Sequence, residues 1–279
     1  MSASSRTFSL VDRISSIQPG ARVHGHFSIP SSVPEFSPSL VVEAVGQLAA
    51  WSAMARLDFQ KRPVAGIAGS VELLDRVDPG EQIELFADVE SVDAEAVSYC
   101  GEATCKGKTL VRLKNCVGPM IGVEEFDDPR SLRERFGSLC SNGGASNGFQ
   151  GVPCVAPQNL QGTAGQSIAG QIQVPASAAF FADHFPRRPV FPGTLLMHAN
   201  LQLVWEFVKQ LPAPAQNARW EPRTVRDVKL RTFIPPGEVL HSEAKLMDGS
   251  AENPVISLQT RNGKRTIGTA RVELSSGPG

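Results

Sequence analysis

A single histidine followed by a proline-rich turn is the part of this sequence best suited to chemistry. Residues 184–193 read HFPRRPVFPG, and the turn leads into an apolar stretch at 194–208. A neutral imidazole accepts protons near neutral pH, so His184 is a candidate general base. The backbone N–H of Gly193, at the start of the predicted helix, is a candidate donor to a negative charge that develops during a reaction.

A second candidate group is a glutamate within the apolar segment 40–57. Burying a carboxyl group is costly, and burial favours the protonated form, so Glu43 is a candidate proton donor. Gln47 lies one helical turn later on the same predicted face. The structural alternative for Glu43 is a salt bridge, or a position at a helix end from which it reaches solvent.

The elements that must position these residues occur twice. Each half has an alternating segment that ends in proline, a long apolar helix, and a Pro-Gly-Glu turn followed by alternating strands. The matching segments are 25–30 with 170–175, 40–47 with 195–202, and 79–81 with 236–238. A repeat of this length predicts tandem domains rather than a solenoid. The helix match sets Glu43 against His198.

The fold class expected from this pattern is α+β with two domains, 1–123 and 166–279. Residues 124–165 are expected to form a linker. Within it, Asp127-Asp128-Pro129 has the acidic N-cap and the N1 proline of a typical helix start. A short amphipathic helix is therefore predicted through about Leu139.

Composition and charge exclude several classes of function. A net charge of −1 without a basic run argues against nucleic acid as a partner. The apolar stretches are interrupted by polar residues and are short for a membrane span, and the serine-rich N-terminus does not resemble a secretory signal. Five cysteines without CxxC spacing favour free thiols and a cytoplasmic location. The histidines and cysteines show no metal-ligand spacing, so no metal site is predicted.

Taken in order, several motifs resemble the β-hydroxyacyl-thioester dehydratases of fatty-acid synthesis. Residues 184–193 closely resemble the histidine loop of that family, and 43–47 resemble the acid-bearing part of its central helix. Segments 8–13, 18–20 and 65–67 also have counterparts there. The resemblance implies the hotdog fold, an antiparallel sheet wrapped around one long helix. Its tandem form implies a double hotdog, similar to a dimer fused into one chain.

The same resemblance implies an activity, namely dehydration of 3-hydroxyacyl thioesters to 2-enoyl thioesters in fatty-acid or polyketide-type synthesis. His184 would remove the C2 proton, Glu43 from the other half would protonate the leaving C3 hydroxyl, and the Gly193 N–H would hold the thioester oxygen. One composite site per chain is expected. Because only protons and water are exchanged, no metal or redox cofactor is expected. The acyl group would arrive on the phosphopantetheine of an acyl carrier protein or of coenzyme A.

Further residues are assigned to substrate binding or support. By resemblance, Gln47 supports the acid or a bound water, and Phe185 and Pro192 belong to the substrate-binding loop. Arg187 and Arg188 flank that loop and can meet phosphate or an acidic carrier-protein surface. The alternative for both arginines is a solvated rim. The fused pseudo-dimer leaves a homodimer of two chains possible.

The reciprocal site, from the loop of the first half and the helix of the second, is expected to be inactive. Without gaps, Ile29 and Pro38 fall at the histidine and glycine positions, and proline has no N–H to donate. With a gap, the first half has lost the loop altogether. His198 then replaces the acid and is interpreted as a core histidine. The alternatives for the chain are enoyl-CoA hydration, thioester hydrolysis, and an inactive protein that binds acyl carriers.

Overall fold

The computed structural model describes residues 7–141, 148–247 and 253–278. A large antiparallel sheet packs against helices α1 (Pro38–Arg56), α2 (Pro129–Ser141) and α3 (Gly193–Val208). The N-terminal strands are β1 (Arg13–Gln18), β2 (Arg22–Ser28), β3 (Lys61–Pro63), β4 (Ile67–Leu73), β5 (Gln82–Val92), β6 (Ala96–Cys105) and β7 (Lys108–Gly122). The C-terminal strands are β8 (Gln158–Thr163), β9 (Ser167–Gln173), β10 (Ala218–Leu230), β11 (Val239–Leu246), β12 (Val255–Asn262) and β13 (Arg265–Pro278).

The order of strands along the sheet is the same in both parts of the chain. From one edge it runs β1-β2-β5-β6-β7-β4, and from the other edge β8-β9-β11-β12-β13-β10. The two series meet where β4 and β10 pair antiparallel, with Glu72 opposite Thr224 and Ile67 opposite Lys229. The short strand β3 pairs with β7 away from this series. The sheet therefore continues from the N-terminal part into the C-terminal part.

Each part of the sheet packs against one long helix. Helix α1 contacts β2, β5, β6 and β7, helix α3 contacts β9, β10 and β11, and the two helices contact each other. Leu48 of α1 and Leu203 of α3 are fully buried. Such helices are apolar on most sides because they are covered on most sides. No helix in the described ranges has a stretch long and apolar enough to span a membrane.

The Pro-Gly-Glu turns occupy matching places. Gly80 has φ +90° and Gly237 has φ +82°, the left-handed conformation that glycine adopts without steric cost. The residue after each preceding strand donates a hydrogen bond to the glutamate carbonyl of the turn. These bonds are Ile29 N–H to Glu81 O and Val174 N–H to Glu238 O, both 2.9 Å.

The two parts differ in the connection between strand and helix. It comprises residues 29–37 in the first part and the longer segment 174–192 in the second, which contains a 3-10 turn and the histidine loop. Pro38 and Gly193 correspond to each other, because each is the first residue of its helix. Ile29 corresponds to Val174 and not to His184, because the N–H groups of Ile29 and Val174 make the same hydrogen bond to the Pro-Gly-Glu turn. The gapless alignment of Ile29 with the loop histidine is therefore wrong, and the loop has no counterpart in the first part.

The segment between the two parts contains more structure than predicted. Helix α2 begins as expected, with the Asp128 carboxylate accepting a 2.8 Å bond from Ser131 N–H. However, β8 lies inside the segment 124–165 and pairs with β9. The sheet of the second part therefore begins before residue 166, the predicted boundary. Residues 142–147 of this segment lie outside the described ranges.

Candidate active site

A cavity of about 230 Å³ lies where α1 and α3 meet, and both parts of the chain line it. Helix α1 contributes Glu43 and Gln47. The histidine loop contributes His184, and the start of α3 contributes Gly193 and Thr194. The structure thus places the predicted acid, base and N–H donor around one cavity.

The imidazole of His184 is held by its own loop. Its Nδ1 lies 3.0 Å from the carbonyl oxygen of Val190. Because a carbonyl only accepts, Nδ1 carries the proton and Nε2 keeps its lone pair. Burial lowers the pKa of His184, although Glu43 acts in the opposite direction, so the ring is neutral at neutral pH. This is the state that a general base needs.

Both carboxyl oxygens of Glu43 have a hydrogen-bond donor. Gln47 Nε2 donates to Oε1 at 2.9 Å, and Thr194 Oγ1 donates to Oε2 at 2.6 Å. The second bond crosses from α3 to α1 and connects the two parts of the chain at the cavity. Glu43 lies in the second turn of α1 and is half-buried, so it is not a helix-end residue reaching bulk solvent.

Gln47 connects the acid to the N-terminal segment of the chain. Its Oε1 accepts a bond from Leu10 N–H at 2.9 Å, and its Nε2 also donates to the carbonyl of Phe8 at 3.0 Å. Phe8 in turn contacts the ring of His184 edge-on, with 5.7 Å between centroids. Gln47 therefore fixes both Glu43 and the segment that covers the histidine.

Gly193 is the first residue of α3, and Pro192 is the N-cap without a side-chain hydrogen bond. The N–H groups of Leu195 and Leu196 bond to Pro192 O, whereas that of Gly193 has no partner among the described residues. A Cβ atom at Gly193 would force the side chain of Leu230 to move. A free N–H at the positive end of a helix dipole suits a developing oxyanion.

A buried arginine holds the histidine loop from the other part of the chain. The guanidinium of Arg62 lies 4.5 Å from the ring centroid of Phe185 and forms a 2.8 Å ion pair with Asp127. Phe126 also packs on Phe185, with 4.5 Å between ring centroids. Burial lowers the pKa of Arg62, and Asp127 opposes this effect only in part. Phe185 is 5% exposed and anchors the loop as well as lining the cavity.

Arg187 and Arg188 make contacts within the chain. Arg187 donates to the carbonyl of Glu124 at 3.1 Å, and Arg188 forms a 3.2 Å ion pair with Glu125. The Arg188 guanidinium also lies over the ring of Phe233. Both side chains are about half exposed. They join the loop to the end of the first sheet, and a role in phosphate or carrier binding stays a prediction.

The matching positions on α3 do not line the cavity. His198 Nε2 lies 3.1 Å from Gln202 Nε2, and burial lowers the pKa of His198 while Glu35 opposes this. In the first part of the chain, Pro38 stands at the position that corresponds to Gly193 and has no N–H to donate. The first part also lacks a counterpart of the histidine loop. An inactive reciprocal site stays our prediction.

Beyond Glu43 the cavity continues along α1 beneath the N-terminal strands. Gly46, Ala49 and Ala50 present little side-chain volume there, and Tyr99 and Cys116 line the sheet side. A Cβ atom at Gly46 would lie 3.4 Å from the Tyr99 hydroxyl. Burial raises the pKa of Tyr99 well above its ordinary value, so the phenol stays neutral. Small side chains of α1 and a neutral phenol therefore line this region of the cavity.

The polar lining residues that were not predicted include Thr194, Arg62 and Tyr99. Thr194 directly follows Gly193, so its place at the helix start was readable from the motif. Arg62 and Tyr99 belong to no motif, because the pairing of β3 and β6 with β7 brings them to the cavity.

Comparison with known proteins finds a dehydratase family model that is similar to the second part of the chain. Residues 160–268 match the family model described as ApeI-like: ApeI dehydratase. The 3-hydroxyacyl-acyl-carrier-protein dehydratase FabZ of Rickettsia rickettsii (strain Sheila Smith) is 33% identical over 79 residues, which cover 28% of this chain and 54% of that protein. The predicted dehydratase resemblance is confirmed. The chain spans about half the length of the curated relatives it matches.

Solved structures of similar architecture cover nearly the whole chain. A putative oleoyl thioesterase from Lactobacillus plantarum has a TM-score of 0.58 at 10% identity, covering 94% of this chain and 100% of that one. The dehydratase domain of PpsC from Mycobacterium tuberculosis, in complex with C12:1-CoA, has a TM-score of 0.53 at 14% identity, covering 97% and 99%. At such identities the likeness shows the fold alone, and it confirms the hotdog fold.

Proposed function

We propose that this dehydratase-type chain dehydrates 3-hydroxyacyl thioesters at one composite site. The proposal includes a double hotdog, with a first domain over 1–123 and a second domain that begins with β8 rather than at residue 166. The observation that carries it is that Glu43 and His184, one from each part, line the same cavity. The repeated strand order supports the tandem arrangement.

Each step of the elimination has a group suited to it. Nε2 of His184 removes the C2 proton, and the Gly193 N–H binds the thioester oxygen as negative charge develops. Glu43 supplies the proton for the departing C3 hydroxyl, after which the C2=C3 double bond is complete and water leaves. Enoyl hydration uses the same groups in reverse. Only protons and water are exchanged, so the mechanism needs no metal or redox group.

The apolar part of the cavity accommodates the acyl chain. Gly46, Ala49 and Ala50 line its α1 side and Tyr99 its sheet side. We expect the acyl group on the phosphopantetheine of an acyl carrier protein or of coenzyme A, with fatty-acid or polyketide-type synthesis as the setting. Arg187 and Arg188, half exposed beside the loop, are positioned to meet the phosphate once their ion pairs rearrange.

The test supplies 3-hydroxyacyl chains on acyl carrier protein and on coenzyme A, and follows enoyl formation and free thiol release separately. Each general acid or base contributes about 10²–10⁴-fold, so His184→Ala and Glu43→Gln should each lose at least about 100-fold in kcat. His198→Ala is the matched control and should keep wild-type activity.

Four outcomes contradict this proposal in different ways. Thiol release without enoyl product indicates a thioesterase, and binding without turnover indicates an inactive carrier-binding protein. Full activity of His184→Ala or Glu43→Gln shows that the chemistry lies elsewhere. A large loss in His198→Ala would mean that the reciprocal site is active.

A further inference from the structure

The hydrogen bonds around Glu43 determine which carboxyl oxygen carries its proton. Gln47 Oε1 accepts from Leu10 N–H, so the amide Nε2 must face the carbonyl of Phe8 and Oε1 of Glu43. An amide NH₂ group only donates. Oε1 of Glu43 is therefore held as an acceptor, and the proton of the acid form belongs on Oε2.

The protonated oxygen faces a hydroxyl from the other part of the chain. Thr194 Oγ1 donates to Oε2 of Glu43 at 2.6 Å when Glu43 is a carboxylate. In the acid form the same contact reverses, so that the Oε2–H donates to Oγ1 and the hydroxyl proton of Thr194 is available for another acceptor. Thr194 also lines the cavity with His184 and directly follows Gly193, whose N–H bonds to no acceptor in the described part of the chain. A hydroxyl can accept one proton while donating its own. Thr194 therefore contacts the acid and also lines the cavity, and a proton carrier needs both contacts.

We propose that Thr194 relays the proton of Glu43 to the leaving hydroxyl, an inference that rests on the proposed dehydratase function. As the C3–O bond breaks, Thr194 Oγ1 gives its proton to the departing oxygen and receives the Oε2 proton of Glu43. His184 Nε2 takes the C2 proton, and the C2–H electron pair becomes the double bond. Glu43 ends as carboxylate and His184 as imidazolium, and proton return through water between turnovers restores both.

The experiment compares Thr194→Val, which keeps the shape without the hydroxyl, with Thr194→Ser, which keeps the hydroxyl. Loss of an acid pathway worth about 10²–10⁴-fold should lower the kcat of Thr194→Val about 100-fold or more, with KM within about threefold of wild type. Thr194→Ser should keep at least about a third of the wild-type kcat. Thermal unfolding confirms that each variant is folded, and Thr194→Ala replaces the valine variant if valine does not fold.

Two results would overturn the relay. One is a folded hydroxyl-free variant that keeps about a third or more of the wild-type kcat, because the effect would then be too small for an acid pathway. The other is a Thr194→Ser kcat as low as that of Thr194→Val, because the methyl group would then be the important part. Failure of the underlying function is distinguishable, since wild type would then give no enoyl product or His184→Ala would stay active.

Discussion

Gln47 of α1 and Gln202 of α3 occupy matching positions but have different hydrogen-bond partners. Replacing each of them by leucine should therefore change the stability of the fold in different ways. The amide of Gln47 uses both ends, accepting from Leu10 N–H and donating to Phe8 O and Glu43. The amide of Gln202 contacts His198, and its buried Oε1 accepts no hydrogen bond from the residues described. We expect Gln47→Leu to destabilise the fold and Gln202→Leu to stabilise it.

The expected change in the free energy of unfolding depends on which polar groups lose their hydrogen-bond partners. Gln47→Leu removes three hydrogen bonds of about 0.5–1.5 kcal/mol net each, and it leaves Leu10 N–H and Phe8 O without that partner. A destabilisation of about 3 kcal/mol is expected. Gln202→Leu removes a buried oxygen that accepts no hydrogen bond from the described residues, but it also removes the contact of the amide nitrogen with His198. A net stabilisation of up to about 1 kcal/mol is expected.

Urea unfolding followed by tryptophan fluorescence measures both free energies of unfolding under one set of conditions. The activity assay adds a second readout, since the loss of one donor to Glu43 should lower the kcat of Gln47→Leu about tenfold, equivalent to about 1.4 kcal/mol. Gln202→Leu should leave kcat unchanged. The reasoning is refuted if Gln202→Leu destabilises as much as Gln47→Leu, or if Gln47→Leu costs less than about 1 kcal/mol.

Three further predictions concern pH, the acyl channel and the loop anchor. Burial lowers the pKa of His184 below 6.5, so the acid limb of kcat/KM should have its midpoint below pH 6.5. Because the pKa of His184 is lower in the folded chain than in the unfolded chain, the unfolded chain binds the imidazole proton more readily. The free energy of unfolding should therefore decrease as pH falls below 6.5. His184→Gln should weaken this pH dependence, which urea unfolding at several pH values measures. Gly46→Val should crowd Tyr99 and lower kcat/KM for long acyl chains about tenfold, about 1.4 kcal/mol, with short chains unaffected in a chain-length series. Arg62→Met should destabilise by about 2–4 kcal/mol in urea unfolding because Asp127 loses its buried partner, and adding Asp127→Asn should restore part of the loss.

Local signals predicted most of the elements. The α2 start depends on an acidic cap and an N1 proline, and the two Pro-Gly-Glu turns depend on glycine at a left-handed position. The sequence does not predict strand β8, because QNLQGT has no apolar alternation, and the structure shows that all six residues are exposed. Its strand conformation depends on pairing with β9, which a local pattern does not show.

The sequence predicted those site residues that belong to a recognisable motif. Glu43, His184 and Gly193 were predicted to meet, and the structure places them around one cavity. The hydroxyl of Thr194 and the guanidinium of Arg62 could not be assigned, because their partners lie in the other part of the chain or in the segment between the parts. Such contacts depend on how the two parts of the sheet pair through β4 and β10, and residue type alone does not determine them.

The pairing of β4 with β10 within one chain determines how the site depends on protein concentration. Because both strands belong to one chain, the encounter of Glu43 with His184 is intramolecular, and its effective concentration does not depend on how much protein is present. Activity per molecule should therefore stay constant on dilution. A fused chain also escapes the rule of symmetric assemblies that every substitution appears in both subunits. One half can then lack a loop that the other retains.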